Sequence, residues 1–424
     1  MNRVCLLLTV ALSWSVCVLP APAAPPKALG EKIDAVLDGP DYKHATWGVL
    51  VVDAKTGEAV YSRNPDALLA PASVTKLFSC AAALVALGPD HKHETHVYQR
   101  GLLLKGTLRG DLVLVAGGDV MMGGRTKDGK TVFKDKDHTY AGGGGCEVTD
   151  TDPLAGLDDL AKQIKAAGIT QLDGEVLIDD RLFARTRSSG SGPDVVSPVM
   201  VNDNVVDLVV TPGEKEGEPA KVVMRPETSF YTLDAVVTTG SAKSSPNLQV
   251  SPVGPTQVAI RGRVPAGGKP ELRIYGVEDP TLFARALFVE ALRRNGVQTQ
   301  CAVLRPQHNG LPTKADYDKL TKVATLTSAP FKDTVAVTLK VSHNLYASTL
   351  PCLVAASKGQ TTAEAGLKEQ RKILKELGVD PDAVSFGGGA GGAPADHITA
   401  RAAVQLLQGM AKRPEWDAYK AALP

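Results

Sequence analysis

Roughly 180 residues of short strand-like runs, from about 97 to 276, separate one region of helical patterning from another. A chain arranged this way has to assemble its helical body around an interruption, so a discontinuous domain with a strand-rich insertion is the expected architecture. Its 424 residues exceed what one compact core usually holds, and two or more domains are expected. The segments are 24–96 as the first part of a main domain, 97–276 as the insertion and 277–424 as the second part.

Within the first part, Trp47 to Val52 and Glu58 to Tyr61 read as two strands about a turn at Asp53-Ala54-Lys55-Thr56-Gly57. A helix follows, with apolar residues from Leu77 through Leu87 and a stop at Gly88-Pro89. Gly101 to Val115 reads as a hairpin turning at Arg109-Gly110-Asp111. The stretch 117–150 is rich in glycine, lysine and aspartate and predicts a long, exposed, flexible loop. Its run Gly142-Gly143-Gly144-Gly145 lacks the Lys-Ser/Thr and strand-to-helix frame of a phosphate cradle. Further on, Leu157, Leu160, Ala161 and Ile164 keep helical spacing, and short strands are expected at 175–178, 205–210, 221–224 and 271–275. Asp279 is placed to cap a helix that starts with Pro280 and ends at Gly296. Helical patterns return over 334–356, 364–377 and 399–411.

Composition narrows the function. A formal net charge of +1 and the absence of basic runs with interleaved aromatics argue against nucleic acid as a partner. Asn2-Arg3, the apolar run from Val4 to Val18 and Ala21-Pro22-Ala23 have the layout of a secretory signal peptide over residues 1–23. Export to the periplasm or cell envelope is therefore expected. No other stretch reaches spanning length, so membrane contact would be peripheral at most. Of the six cysteines, Cys80, Cys146, Cys301 and Cys352 would remain after cleavage, either paired or as buried thiols. Their wide spacing contains no C-x-x-C, and His91, His93 and His96 fit a solvated segment better than a metal site. No metal or cofactor is implied.

The chemistry-bearing stretch is Pro71-Ala72-Ser73-Val74-Thr75-Lys76 at the start of the first helix. Residues three apart share a helix face, so Lys76 can take the proton of Ser73 if burial or neighbouring charge depresses its pKa. Far along the chain, Lys340-Val341-Ser342-His343-Asn344 places a hydroxyl and a carboxamide two residues apart. From a tight turn, Ser342 can carry a proton and Asn344 can hydrogen-bond a substrate amide.

These motifs make the chain resemble the low-molecular-mass class C penicillin-binding proteins, the D-alanyl-D-alanine carboxypeptidases and endopeptidases of peptidoglycan. The resemblance runs from about Trp47 to the C-terminus. It rests on Ala70 to Lys76, Gly110-Asp111-Leu112-Val113-Leu114-Val115, Asp173-Gly174-Glu175-Val176, Val201-Asn202-Asp203-Asn204 and Lys340 to Ala347. It implies an α/β (α+β) fold, a β-lactamase/transpeptidase-like domain whose sheet is covered by helices and interrupted by a large insertion. The 265 residues between Lys76 and Ser342 suit that layout. It also implies Ser73 as the acylated nucleophile, Lys76 as general base, Ser342 in proton transfer and Asn344 in binding the peptidoglycan stem peptide. β-Lactams would acylate the same serine.

Three departures accompany the resemblance. His343 stands where the family usually has aspartate, a change expected to be tolerated because that side chain need not face the cleft. Residues 387–393 read Gly-Gly-Gly-Ala-Gly-Gly-Ala where relatives often carry Asp-Gly-Ser-Gly-Leu-Ser, which suggests a more flexible loop. No Lys-Thr-Gly follows Asn344, and Lys55-Thr56-Gly57 precedes Ser73. That third departure suggests either a truncated product of an enzyme gene or a short homologue that binds peptidoglycan without turnover. A serine β-lactamase is disfavoured by the size of the insertion.

Overall fold

The structure, a computed structural model, describes residues 27–140, 145–304 and 310–424. The expected signal segment, with Cys5 and Cys17, lies outside the described residues, as do Gly142, Gly143 and Gly144. The chain divides into two compact units, one ending at Asn64 and one starting at Pro65.

The first unit has a helix α1 (Lys27–Leu37) and an antiparallel hairpin of β1 (Val49–Val52) and β2 (Ala59–Arg63). The turn between the strands forms because the Asp53 carboxylate accepts from the backbone N–H groups of Lys55 and Thr56, both at 2.8 Å, and Gly57 takes φ 75°. Lys55-Thr56-Gly57 is this exposed turn.

In the second unit, two apolar cores form. One is helical, built by α2 (Thr75–Leu87) with later helices α5 (Phe331–Lys340), α6 (Asn344–Ser357), α7 (Ala363–Glu376), α8 (Ala400–Met410) and α9 (Trp416–Ala422). Small residues make its packing close. Ala81, Ala82 and Ala83 are fully buried on α2, and a Cβ on Gly366 of α7 would sit 1.8 Å from the Pro351 carbonyl of α6. The buried phenylalanines Phe78 and Phe331 each contribute about 1.5–3 kcal/mol to this core.

The other core lies under a mixed sheet in which β3 (Glu94–Leu104) and β4 (Thr107–Val115) pair antiparallel. Strand Thr321–Thr327 adds antiparallel to β3, while Gln171–Asp173 and Val176–Asp179 run parallel to β4. Helices α3 (Ala155–Ala166) and α4 (Pro280–Arg294) carry apolar residues of that core. Two three-stranded sheets complete the region, Lys221–Arg225 with Val205–Thr211 and Glu271–Gly276, and Thr232–Gly240 with Gln257–Pro265 and Asn247–Gly254. The cap of α4 is as expected, with Asp279 accepting from Thr281 N and Leu282 N. Among the described residues, no helix is long and apolar enough to cross a membrane.

Several expectations need correction. Arg109-Gly110-Asp111 is strand, not turn; the hairpin turns at Lys105 and Gly106, with φ 49° and 85°. Gly110 instead faces Gly101, where a Cβ would meet the Arg100 carbonyl at 2.0 Å. Nor does the strand-rich body stop near 276, because Phe283 and Leu287 of α4 lie in its core and Thr321–Thr327 pairs with β3. Caps and periodicity locate a helix but do not say which core receives it. Finally, 117–150 is not exposed throughout: Val120, Met121, Met122, Arg125, Asp137, His138 and Thr139 are buried. The histidines at 91–96 are also less solvated than their context suggested. His93 Nδ1 lies 3.0 Å from the Gly117 carbonyl, and burial together with the charge of His91 lowers its pKa to about 4. All four described cysteines are free thiols.

Candidate active site

A short 3-10 turn, Ala72–Val74, leads into α2 and presents Ser73 to solvent while Lys76, one turn on, is buried beneath it. The turn is tight: Ala72 takes φ 45°, a left-handed conformation that an L-residue holds only when its surroundings impose it. On the other side, α5 and α6 are separate helices because Ser342 breaks between them with φ 59°. That break turns Ser342 and Asn344 toward α2. The structure thus brings all four expected residues together.

Their geometry is specific. Lys76 Nζ lies 2.9 Å from Ser73 Oγ, 2.7 Å from Asn344 Oδ1 and 2.9 Å from the Ala390 carbonyl oxygen. Ser342 Oγ donates to Ser73 Oγ at 2.7 Å. Burial lowers the Lys76 pKa to about 8. In the neutral amine, Asn344 Oδ1 and the Ala390 carbonyl take its two N–H groups, and its lone pair is left facing the Ser73 hydroxyl. This arrangement can deprotonate a serine and return the proton through a second hydroxyl.

The Ala390 carbonyl has no signature as a type of residue, but the glycines around it explain its position. Pro351 in α6 has no N–H, which leaves the Ala347 carbonyl without its helical donor. The 387–392 run packs against that point, where a Cβ on Gly389 would lie 1.9 Å from the Ala347 oxygen. A Cβ on Gly391 would lie 1.7 Å from the Ala72 oxygen. The buried Asp396 carboxylate accepts from Gly387 N and Ala393 N, both at 2.8 Å, and Ser79 Oγ donates to the Gly389 carbonyl. The run is therefore pinned, contrary to the flexible loop expected from its composition; glycine is needed there for close approach.

Asn344 also donates through Nδ2 to the Ser191 carbonyl at 3.0 Å and lies 3.4 Å from the Ser191 hydroxyl. Ser191 belongs to the 188–194 segment that links the short paired strands Thr186–Arg187 and Val195–Val196, and Ser188 Oγ lies 2.9 Å from Ser348 Oγ of α6. His343 is fully buried and points inward. Its ring stacks on Tyr346 with centroids 3.8 Å apart, and its Nδ1 accepts from Tyr346 N.

Behind Tyr346 lies a buried ionic cluster that sequence reasoning missed. Arg125 donates to Asp137 at 2.8 Å, to Asp203 at 2.6 Å and to the Tyr346 hydroxyl at 3.1 Å. Tyr346 in turn donates to Asp203. Asp203 is aimed inward by the run Asn202-Asp203-Asn204, whose φ values of 50°, 53° and 54° suit Asn and Asp better than other side chains. His138 has a carboxylate 2.7 Å from each ring nitrogen, Asp207 at Nδ1 and Asp203 at Nε2. Burial alone would lower its pKa, but Asp207 and Asp203 outweigh it and raise it to about 10. The same balance holds Asp137 down at about 2, where Arg125 prevails over burial. Asp137, His138 and Asp203 are close enough to hold a metal ion. However, with both His138 nitrogens protonated and Arg125 on both carboxylates, the set has no free lone pair on the imidazole. With Arg225 on Asp207, two guanidiniums and one imidazolium offset three carboxylates.

Residues 29–424 match the model of the D-Ala-D-Ala carboxypeptidase 3 (S13) family. The chain belongs to that family. It is similar to the D-alanyl-D-alanine carboxypeptidase of Actinomadura sp. (strain R39), with 30% identity over 416 residues, 93% of this chain and 70% of that relative. Its fold matches penicillin binding protein 4 from Haemophilus influenzae with a TM-score of 0.66 and 19% identity, covering 88% of this chain and 76% of that one. The same protein complexed with a novel β-lactam gives a TM-score of 0.64 at 19% identity, over 88% and 75% of the two chains. This S13 member therefore has the transpeptidase-like fold with a strand-rich insertion, as the motifs implied.

Proposed function

We propose that this S13-family chain is a serine-type D-Ala-D-Ala carboxypeptidase or endopeptidase that acts on peptidoglycan stem peptides through an acyl-enzyme. The observation that carries the reading is the exposed Ser73 Oγ held between the buried Lys76 amine at 2.9 Å and the Ser342 hydroxyl at 2.7 Å. Lys76 takes the Ser73 proton as Oγ attacks the carbonyl of the terminal peptide bond. The Ser73 backbone N–H, at the helix start, stabilises the oxyanion. The proton that Lys76 took reaches the departing amine by way of the Ser342 hydroxyl, which gives one proton and regains another, and D-alanine leaves with it. Water then cleaves the ester and restores Ser73. Asn344 orients the stem peptide through its side-chain amide, the Ser191 hydroxyl giving way to the peptide. A β-lactam reacts at the same oxygen but opens its ring, so its acyl group stays attached. The H. influenzae protein in complex with a β-lactam supports this part by likeness of fold. Residues 1–23 direct export, and the enzyme works in the cell envelope, where such a substrate lies.

Intact mass after incubation with benzylpenicillin tests the reading. The parent chain gains the mass of one penicillin and Ser73→Ala gains none. A folded parent that stays unmodified sinks the acyl-enzyme proposal. Persistence of the adduct in Ser73→Ala names another nucleophile. Release of D-alanine from a stem peptide separates turnover from binding alone.

A further inference from the structure

Ser342 is the one proton-carrying hydroxyl of the proposed site whose backbone is strained, at φ 59°. A serine in the left-handed region is disfavoured relative to the right-handed helix, and Ser342 sits in the three-residue link between the end of α5 at Lys340 and the start of α6 at Asn344. If Ser342 relaxed into the right-handed region, α5 would run on past Val341 and the hydroxyl would turn away from Ser73. Something must therefore hold the peptide group after Ser342. Tyr140 does so: its hydroxyl donates to the Ser342 carbonyl. The Tyr140 hydroxyl oxygen in turn lies against the backbone N–H of Asn344.

Tyr140 is itself rigidly mounted. It ends the short 3-10 turn His138–Tyr140, whose other residues are buried. Thr139 donates through both its N–H and its hydroxyl to Asp137 Oδ1, at 3.1 and 2.8 Å, and Tyr140 N donates to the Asp137 carbonyl at 3.1 Å. His138 is clamped between Asp203 and Asp207. A segment whose composition suggested a solvated loop is thus fastened at three consecutive residues, and the last one reaches the active-site turn.

We infer that Tyr140 is a positioning residue for the reaction, holding Ser342 in its left-handed conformation so that Ser342 Oγ stays on Ser73 Oγ. The inference rests on the reading of Ser342 as a proton carrier. Tyr140 touches backbone and not the reacting atoms, at the Ser342 carbonyl and the Asn344 N–H, so its effect passes through this turn, and the part that runs through Ser342 is the one a variant lacking the Ser342 hydroxyl removes.

A double-mutant cycle tests this. Tyr140→Phe keeps the ring and removes only the hydroxyl. It lowers the second-order rate constant for benzylpenicillin acylation roughly tenfold, the scale of one lost hydrogen bond. In a Ser342→Ala background the same change alters the rate by less than about twofold, because there is no hydroxyl left to place. Equal losses in both backgrounds, or none in Tyr140→Phe, overturn the inference. A crystal structure of Tyr140→Phe gives a second reading that does not need activity. Ser342 leaving the left-handed region, or its hydroxyl leaving Ser73, supports the brace; an unchanged turn overturns it. If the parent chain is not acylated, the proposed function fails and the crystal structure alone decides the role of Tyr140.

Discussion

Lys76 illustrates how much a single residue depends on what covers it. Its partner Ser73 follows from spacing, because three residues on a helix is one turn. Its pKa does not, since burial beneath the Ala390 carbonyl and Asn344 comes from segments about 270 and 310 positions away. A base must be neutral to accept a proton, and at a pKa of about 8 roughly one Lys76 in ten is neutral at pH 7. Penicillin acylation should therefore rise about tenfold from pH 7 to a plateau above pH 9, with an apparent pKa near 8. A stopped-flow pH profile checks this; a flat or falling profile would make Lys76 a fixed cation and not the base. Asn344 shows the same limit of reading. Its presence two residues after Ser342 was legible, but its role in holding Lys76 was not.

At the level of elements, composition misled where backbone geometry decides. Glycine in 387–393 signals freedom in isolation, yet here it permits contact between backbones that any Cβ would separate. Gly391 and Gly378 make a direct comparison. Both have positive φ, 91° and 85°, but a Cβ on Gly391 meets the Ala72 oxygen at 1.7 Å while Gly378 has nothing within 4 Å. Gly378→Ala should cost about 1–2 kcal/mol, the conformational term alone. Gly391→Ala should cost on the order of 2–4 kcal/mol, and it should slow acylation as well, since Ala72 adjoins Ser73. Urea denaturation of the two variants would decide, and equal costs would mean that the loop simply moves aside. The helical pattern over 334–356 was readable in outline. The break at Ser342 inside it was not, because the residues that impose it lie in the 117–140 segment and not in the pattern.

Across the second unit, the buried ions join parts of the chain that no periodicity connects. Arg125 and His138 come from the segment after β4, Asp203 from the turn Asn202–Asn204, Asp207 from the strand Val205–Thr211 that follows it, and Tyr346 from α6. His138 is raised above its usual pKa in the folded state, to about 10. Its stabilisation is therefore complete below about pH 6.5 and is lost as pH rises through about 10. His138→Asn should be less stable than the parent at pH 6, with the gap narrowing by pH 10. Thermal unfolding at both values measures it, and a gap independent of pH would mean that His138 is held neutral. What the sequence by itself determined is what short-range chemistry encodes: the Ser73–Lys76 face, the Asp279 cap, some strands of the insertion, and the motifs that place the chain in its family. Only the tertiary structure decided which core receives α4, why the 387–393 glycines are ordered, and which distant groups surround Lys76 and Ser342. The reason is physical. Spacing along a helix or strand is fixed by local bond geometry, whereas desolvation, charge compensation and backbone strain exist only once remote segments have packed against each other.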